Sequence, residues 1–511
     1  KINSQIKGMK DKIVVWLDSN LMQFSLCYYL QKEIDADFYA IIDITDNTRN
    51  FYENQNLVKF KKIWYYHDHT LPIKNPDLQY LALFEKNYKI QLWKLAISDR
   101  IFYHFNDFYN FSKNEILSII ENECKFFENV LNEIKPNVVI MHEPYQHQDE
   151  LFFELCKAKK IDVLVFFFSH MGYRAEIAQE VHYADNIDNI EKKQNHRSFS
   201  ELVKYYESLN LSKTIKKQNV DPFGNKLNIF TATIDFLFKT KNENPKTHYS
   251  YFGHSKIRAL LNAISGAIKT RSRWNYLDKH LVKNIQQTQK FVYYPLHIEQ
   301  ERSTLIATPY YTNDMEFVKN IAKSLPINYI LYVKEHPSQI TRHWRDKKFY
   351  QELNKIPNVT VIHPHTSSLE LIKNCSLVIT LSGTTALEAA FYEKPAITCA
   401  NFDYTILPSI ERLKSIEDLP QLIQHSLEKK MDSKSLDEYV SFKENNTFEF
   451  NNANFEIKSS EKFFHGGRFA DVSITNDKMI EFLDENKESL TLFAHEYAQK
   501  IHSSLKKNED N

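Results

Sequence analysis

Leu377–Phe391 reads LVITLSGTTALEAAF, and this stretch decides the fold class. The apolar run Leu377-Val-Ile-Thr380 predicts a buried strand. Ser382-Gly383-Thr384-Thr385 predicts a tight turn, and Ala386–Phe391 follows at once with strong helix formers. A buried strand running straight into a helix is the repeating unit of a parallel sheet covered on both faces. The first amides of such a helix lack intrahelical partners. Together with the positive end of the helix dipole they suit a phosphate or diphosphate. Gly383 allows a close backbone approach, and three hydroxyls stand beside it. A second reading stands next to this one. Thr385 and Glu388 have the T-x-x-E spacing of a capping box, which needs no ligand.

The same alternation extends in both directions. Downstream of Phe291 the sequence predicts strands at 291–295, 329–334, 359–362, 377–380 and 396–398, with helices at 313–324 and 367–373 between them. Polar clusters fall at the strand ends: Pro295-Leu-His297, Glu335-His336-Pro337, His363-Pro-His365 and Ser382–Thr385. In open α/β sheets, ligands bind at the carboxyl ends of the strands. The first half of the chain repeats the pattern. Strands are expected at 13–17, 38–42, 61–66, 138–141 and 163–168, and helices at 114–134 and 149–157. Asp18-Ser19-Asn20 reads as a turn and cap cluster after the first of these strands.

The chain therefore divides into four parts. Residues 1–250 are expected to form an N-terminal α/β domain, with a polar, irregular insert from about 183. Residues 251–290 are expected to form a basic helical linker, 291–430 a C-terminal α/β domain that carries the candidate phosphate turn, and 431–511 an extension with a helix over 477–504. His465-Gly466-Gly467-Arg468 reads as a turn that returns the chain toward the cleft. The expected fold is α/β and GT-B-like: two doubly wound Rossmann-type domains facing a cleft, with the C-terminal helix crossing back.

Composition narrows the function classes. Lys+Arg and Asp+Glu both number 65 in 511 residues, so no global charge argues for nucleic acid. Five cysteines, at 27, 124, 156, 375 and 399, have neither metal nor disulfide spacing, which fits a reducing cytoplasm. The polar start KINSQIKGMKDK has no apolar signal-peptide core, and no run is long enough to span a membrane. The expected location is cytoplasmic. Between Lys256 and Lys283 seven Lys/Arg stand against one acid, Asp278. This segment reads as a peripheral membrane contact, a solvated helix face, or a basic wall facing an anionic substrate.

Several motifs occur in order. They are Pro295-Leu296-His297, Glu301-Arg302-Ser303-Thr304, Lys334-Glu335-His336-Pro337, Val359–Pro364, Ser368–Ile372 and Ser382–Ala389. Over roughly 290–400 this series resembles the capsule polysaccharide biosynthesis family, which includes Kdo transferases that start capsule glycolipid linkers. Upstream, His142, Glu143, His147, Asp149 and Gly172-Tyr173-Arg174 are similar to the family's first-domain pattern. There His170-Met171 replaces a proline-containing turn.

The resemblance implies a nucleotide-sugar glycosyltransferase of capsule or other surface polysaccharide, with a CMP-linked acidic sugar such as Kdo as donor. The acceptor is a glycan or glycolipid, reached at the inner membrane face or within a capsule-assembly complex. No metal or other cofactor is implied. On the donor side it implies His297, Glu301, Arg302, Ser303, Lys334, His336 and Pro337. It also implies Ser382, Gly383, Thr384 and Thr385 at phosphate and Glu388 at ribose, because a carboxylate does not approach phosphate favourably. Arg302 would neutralise the leaving nucleotide, or form a solvated pair with Glu301. His142, Glu143, His147 and Asp149 are the candidates for the base that deprotonates the acceptor. Asp149 as a helix cap and His142 as a partner for buried backbone are the competing readings. Arg174 suits a sugar carboxylate or lipid phosphate by bidentate pairing, or a structural ion pair. Rival functions are a CDP-polyol phosphotransferase like the teichoic-acid polymerases, a UDP-GlcNAc 2-epimerase-like isomerase, and a non-catalytic scaffold of capsule assembly.

Overall fold

The structure is a computed structural model. It describes residues 10–72, 75–209, 244–285, 289–299, 301–341, 345–466 and 471–509. Part of the expected insert and the Gly467-Arg468 half of the expected turn lie outside the described residues.

Thirteen strands are described, and they form two sheets. The first sheet holds β1 (Lys12–Leu17), β2 (Asp37–Ile42), β3 (Lys62–Tyr65), β4 (Val138–His142), β5 (Asp162–Phe168) and β6 (Arg174–Ala178). The second holds β7 (Phe291–Pro295), β8 (Ile330–Lys334), β9 (Val359–Ile362), β10 (Leu377–Thr380), β11 (Ala396–Thr398) and β12 (Ile410–Arg412). β13 (Phe448–Glu449) returns to the first sheet and pairs antiparallel with β6.

The strand orders are β13-β6-β5-β4-β1-β2-β3 and β12-β11-β10-β7-β8-β9. The second sheet is parallel throughout. Counted within its own domain, its order is the doubly wound one, reversing direction between β7 and β10. The first sheet reverses between β1 and β4, which pair in register Ile13↔Val138. A doubly wound sheet opens a crevice where the strand order reverses. Each domain therefore places one crevice at a position fixed by topology. The strands carry near-continuous apolar runs because both faces are covered. Ile13, Val15 and Leu17 enter the core on one face of the first sheet, and Val14 and Trp16 the core on the other.

Packing divides the chain differently from the boundaries at 250 and 430. Met171, Ala184, Ile187 and Leu202 lie in a core of the second domain, although the sequence places them in the first. Tyr206 stacks on Phe391 with ring centroids 4.4 Å apart. The helix Ser433–Asn446 contributes Leu436, Tyr439 and Val440 to that same core. From Phe448 onward the chain is back in the first domain's core, with Phe450, Phe482, Phe493 and Tyr497 buried there. The crossing back therefore begins at β13, well before the last helix. The expected single helix over 477–504 is two helices, Asn476–Glu485 and Lys487–Glu509. Asn486 breaks it: its side chain donates to the Phe482 carbonyl at 2.8 Å and leaves helical backbone geometry. Among the described residues no helix is long and apolar enough to cross a membrane.

Candidate active site

In the second domain, His297 follows β7, and Thr380 ends β10 on the other side of the crevice. The His297 Nε2 faces Thr380 Oγ1 at 3.1 Å and accepts the Ser382 N–H at 3.4 Å. The Gly383 N–H donates to Thr380 Oγ1 at 3.1 Å, and the Ser382 hydroxyl donates to the Ser303 carbonyl at 2.7 Å. The turn is thus tied internally to β10 and to the loop after β7. Gly383 is required for a reason other than ligand approach, since a Cβ there would lie 2.7 Å from Thr380 Oγ1. The capping box is not formed. Thr384, not Thr385, is the N-cap of the helix Thr385–Phe391, with no side-chain cap. The Thr384 hydroxyl instead donates to Glu388 Oε1 at 3.2 Å. With seven residues this helix has a weak dipole, so the turn's own polar groups must do most of any anion binding.

Burial, assisted by His336 and Arg345, holds His297 down at about 3. Burial likewise holds His336 down at about 4. Both imidazoles are neutral at physiological pH. His336 Nδ1 accepts the Ser338 N–H at 3.2 Å, which places the ring proton on Nε2. Pro337 opens the 3₁₀ turn that carries Ser338. Lys334 is buried at the end of β8, donates to Ser368 Oγ at 2.7 Å, and is lowered to about 8 by burial. Burial raises the Glu388 carboxyl, against the Thr384 hydrogen bond and the Lys334 charge.

In the first domain, Asp18 follows β1 and His142 ends β4. The His142 Nε2 lies 3.5 Å from Asp18 Oδ2, and its Nδ1 contacts the Glu143 carbonyl at 2.7 Å. Tyr145 OH donates to Asp18 Oδ2 at 3.1 Å. Burial alone would lower His142, but Asp18 and Asp149 prevail and raise it. Asp18, His142, Glu143 and Tyr145 line a cavity of about 340 Å³, whose opposite wall is Glu301, Arg302 and Ser303 of the second domain. The two crevices therefore meet across one cleft. Glu143 joins them: its Oε1 lies 2.6 Å from His182 Nε2 and 3.1 Å from Arg302 Nε. Burial works against its charge, but His182 and Arg302 hold it down at about 2.

Other expected residues are placed elsewhere. His147 is buried beneath the cleft, Nδ1 on Asp99 at 2.7 Å and Nε2 on Glu123 at 2.9 Å. Burial opposes its charge, yet the two carboxylates raise it to about 10. An imidazole enclosed in this way does not reach an acceptor. Asp149 is buried too and accepts the N–H groups of Tyr145 and Gln146, the capping role. Burial raises it to about 6. Arg174 turns from the cleft and binds Thr447 Oγ1 at 2.6 Å and the Glu444 carbonyl at 2.8 Å, clamping the returning chain. Among the described residues no group of His, Cys, Asp or Glu is arranged to hold a metal ion.

Two positioning elements have no motif in the sequence. Arg345 is fully buried. It donates to both Glu335 carboxylate oxygens at 2.7 and 2.8 Å, to Asp314 at 2.5 Å and to the His297 carbonyl at 3.1 Å. It thereby locks the ends of β7 and β8 together. Lys443 is buried between Glu176 of the first domain and Asp403 of the second. Asp18 was visible only as a turn residue, and the pairing of β1 with β4 makes it part of the site.

The likeness to solved structures is partial. UDP-GlcNAc 2-epimerase of Methanocaldococcus jannaschii is 16% identical, with 84% of this chain and 99% of that chain covered and a TM-score of 0.24. The beta Kdo 2,4 transferase of KpsC from Thermosulfurimonas dismutans is 11% identical, with 73% and 91% covered and a TM-score of 0.31. Superpositions this low carry no weight, and the fold class rests on the two strand orders. No curated protein sequence matches. Residues 178–407 match the family model described as capsule polysaccharide biosynthesis protein. Over that span, which holds the whole motif series from Pro295 to Ala389, the chain carries the sequence pattern of the capsule polysaccharide biosynthesis family.

Proposed function

We propose that the protein is a glycosyltransferase of surface-polysaccharide assembly, acting on the cytoplasmic face of the membrane. It takes its sugar from a nucleotide donor, a CMP-linked acidic sugar such as Kdo, and passes it to a glycan or glycolipid. The observation that carries this reading is the pair of facing crevices. One holds neutral histidines, hydroxyls and a turn, and the other a carboxylate and an imidazole.

In this reading the donor phosphate lies at Thr384 and Thr385, beside His336 Nε2–H, and Glu388 takes the ribose hydroxyls. Arg302 leaves Glu143 for the phosphate and offsets charge on the departing nucleotide. The acceptor hydroxyl enters the cavity beside Asp18 and His142. Its oxygen bonds to the anomeric carbon as the bond from that carbon to the phosphate oxygen breaks. Its proton passes to His142 Nε2, which Asp18 then holds as the imidazolium. The nucleotide leaves with the bonding electron pair.

Calorimetric titration with CMP, CDP, UDP and GDP tests the reading, on the wild type and on Glu388→Ala and His336→Ala. CMP binding that weakens in both variants is the expected result. A preference for UDP would keep a nucleotide-sugar site and discard the CMP donor. Absence of binding by every nucleotide would leave the scaffold reading.

A further inference from the structure

The helix Lys256–His280 has an unusual exposed face. Ile257, Leu261, Ile264 and Ile268 are 71, 60, 50 and 65% exposed. Their spacing of four, three and four places them on one stripe, roughly 16 Å long at about 1.5 Å per residue. No residue of the helix before Gly266 is buried, and Ala259, Leu260, Asn262 and Ser265 are half-buried. At about 100° per residue, Arg258 and Lys269 lie along one side of the stripe and Arg271 along the other. All three are exposed. No carboxylate of a described residue pairs with Lys269 or Arg271, and no acid occurs between Lys256 and Leu277. An aliphatic stripe bordered by exposed cations on a helix of low mean hydropathy is the pattern of a helix lying in a lipid interface.

A second surface adjoins the start of this helix. Phe108 stacks on His254 with centroids 3.7 Å apart, and Phe252 stacks on Phe111 at 6.0 Å. The segment carrying Phe108 and Phe111 follows the turn Arg100–His104 and the helix Leu92–Ser98. There Trp93, Ile97 and Tyr103 are exposed. Exposed Trp and Tyr are the side chains that settle at headgroup level. Lys94, on the same helix as Trp93, lines a cavity of about 800 Å³ together with Tyr310 and Arg412 of the second domain.

We propose that the Ile257–Ile268 stripe seats the protein on an anionic phospholipid surface. The apolar side chains enter the acyl boundary and the cations meet lipid phosphates. An anionic surface, and not a second copy of this chain, is the fitting occupant. Arg258, Lys269 and Arg271 would face like charges across a symmetric helix pair. The proposal goes beyond the donor reading and does not depend on it.

Flotation of the full chain with phosphatidylcholine vesicles, with or without phosphatidylglycerol, tests it. The wild type is expected to float with the phosphatidylglycerol vesicles, less so as salt rises. Ile264→Glu/Ile268→Glu should lower the bound fraction about tenfold or more. Lys269→Glu/Arg271→Glu should abolish the preference for anionic vesicles. Thermal melts should be unchanged in both variants, because all four side chains are exposed. Association with neither vesicle, or equally with both, would overturn the proposal. So would a dimer that Ile264→Glu/Ile268→Glu converts to monomer without change in flotation. CMP titration of the same variants separates the two ideas, since a membrane surface can fail while nucleotide binding persists.

Discussion

Two histidines of the first domain, His142 at a strand end and His147 opening the next helix, and two that follow strands of the second sit in opposite electrostatic settings. His142 and His147 are buried, yet carboxylates raise both, His147 to about 10. His297 is buried and His336 half-buried; burial, with His336 and Arg345 at the first and with Lys334 and Arg345 against Glu335 at the second, takes them down to about 3 and 4. Burial is the first cause in every case and always favours the neutral ring. Neighbouring charge decides whether it wins. One scaffold, used twice, thus gives one crevice suited to holding a proton and another suited to neutral hydrogen bonds with an anion.

The largest expected effect breaks the first crevice. His142→Ala should lower kcat about 10²–10⁴-fold while CMP affinity stays near wild type, read by initial rates and titration calorimetry. If CMP affinity falls equally, His142 acts on the donor. A sharper form of the test uses Asp18→Asn. Asp18 raises His142, so its loss lowers that pKa, and the ascending limb of the kcat pH profile should move to lower pH. A limb that stays fixed would remove the Asp18–His142 pairing from the mechanism.

His147 should behave differently, as a matter of stability. His147→Leu leaves Asp99 and Glu123 buried without their cation and should cost about 3–5 kcal/mol in urea unfolding. The pH dependence follows from the sign of the shift. The folded-state pKa is raised, so the stabilisation is fully present below the ordinary histidine value of about 6.5. It is lost as pH rises through about 10. The urea midpoint of the wild type should therefore fall toward alkaline pH more steeply than that of His147→Leu.

Smaller effects probe the second crevice. His336→Ala should weaken CMP about tenfold, close to 1.4 kcal/mol, with an unchanged melt. Smallest is Gly383→Ala. The added Cβ crowds Thr380 Oγ1, and the variant should lose about 1 kcal/mol of stability. Thr380→Ser/Gly383→Ala, which frees the hydroxyl to turn, should recover part of it.

Much of the second domain was legible because its signals are local. Each strand runs into its own turn within a few residues, so Pro295–His297, Lys334–Pro337 and Leu377–Phe391 declare both element and site. The first crevice was harder. Asp18 and His142 are 124 positions apart and meet only because β1 pairs with β4. Arg345 lies in no motif, and its role comes from the close approach of β7, β8 and the start of the helix Asp314–Ser324. Thr385 and Glu388 had capping spacing, but the turn places the N-cap one residue earlier. Arg174 had the chemistry to hold an acid, and the returning chain took its donors. Spacing predicts which groups are available, and topology decides which of them meet.

β13 carries one more consequence, for the order in which the molecule is made. It completes the edge of the first sheet, and the helix Lys487–Glu509 covers Phe166 and the face beside it. A ribosome delivers these pieces after the strands of the second domain. While they are still being synthesised, the opening α/β unit has an unpaired edge and a bare apolar face, whereas the strands from Phe291 to Arg412 have already emerged in one run. The second domain should therefore consolidate first and the first domain close around it. A fragment ending near residue 170 should aggregate, and one from about 180 to 447, which keeps Ala184, Ile187, Leu202 and Tyr206 on the second domain's core, should stay in solution.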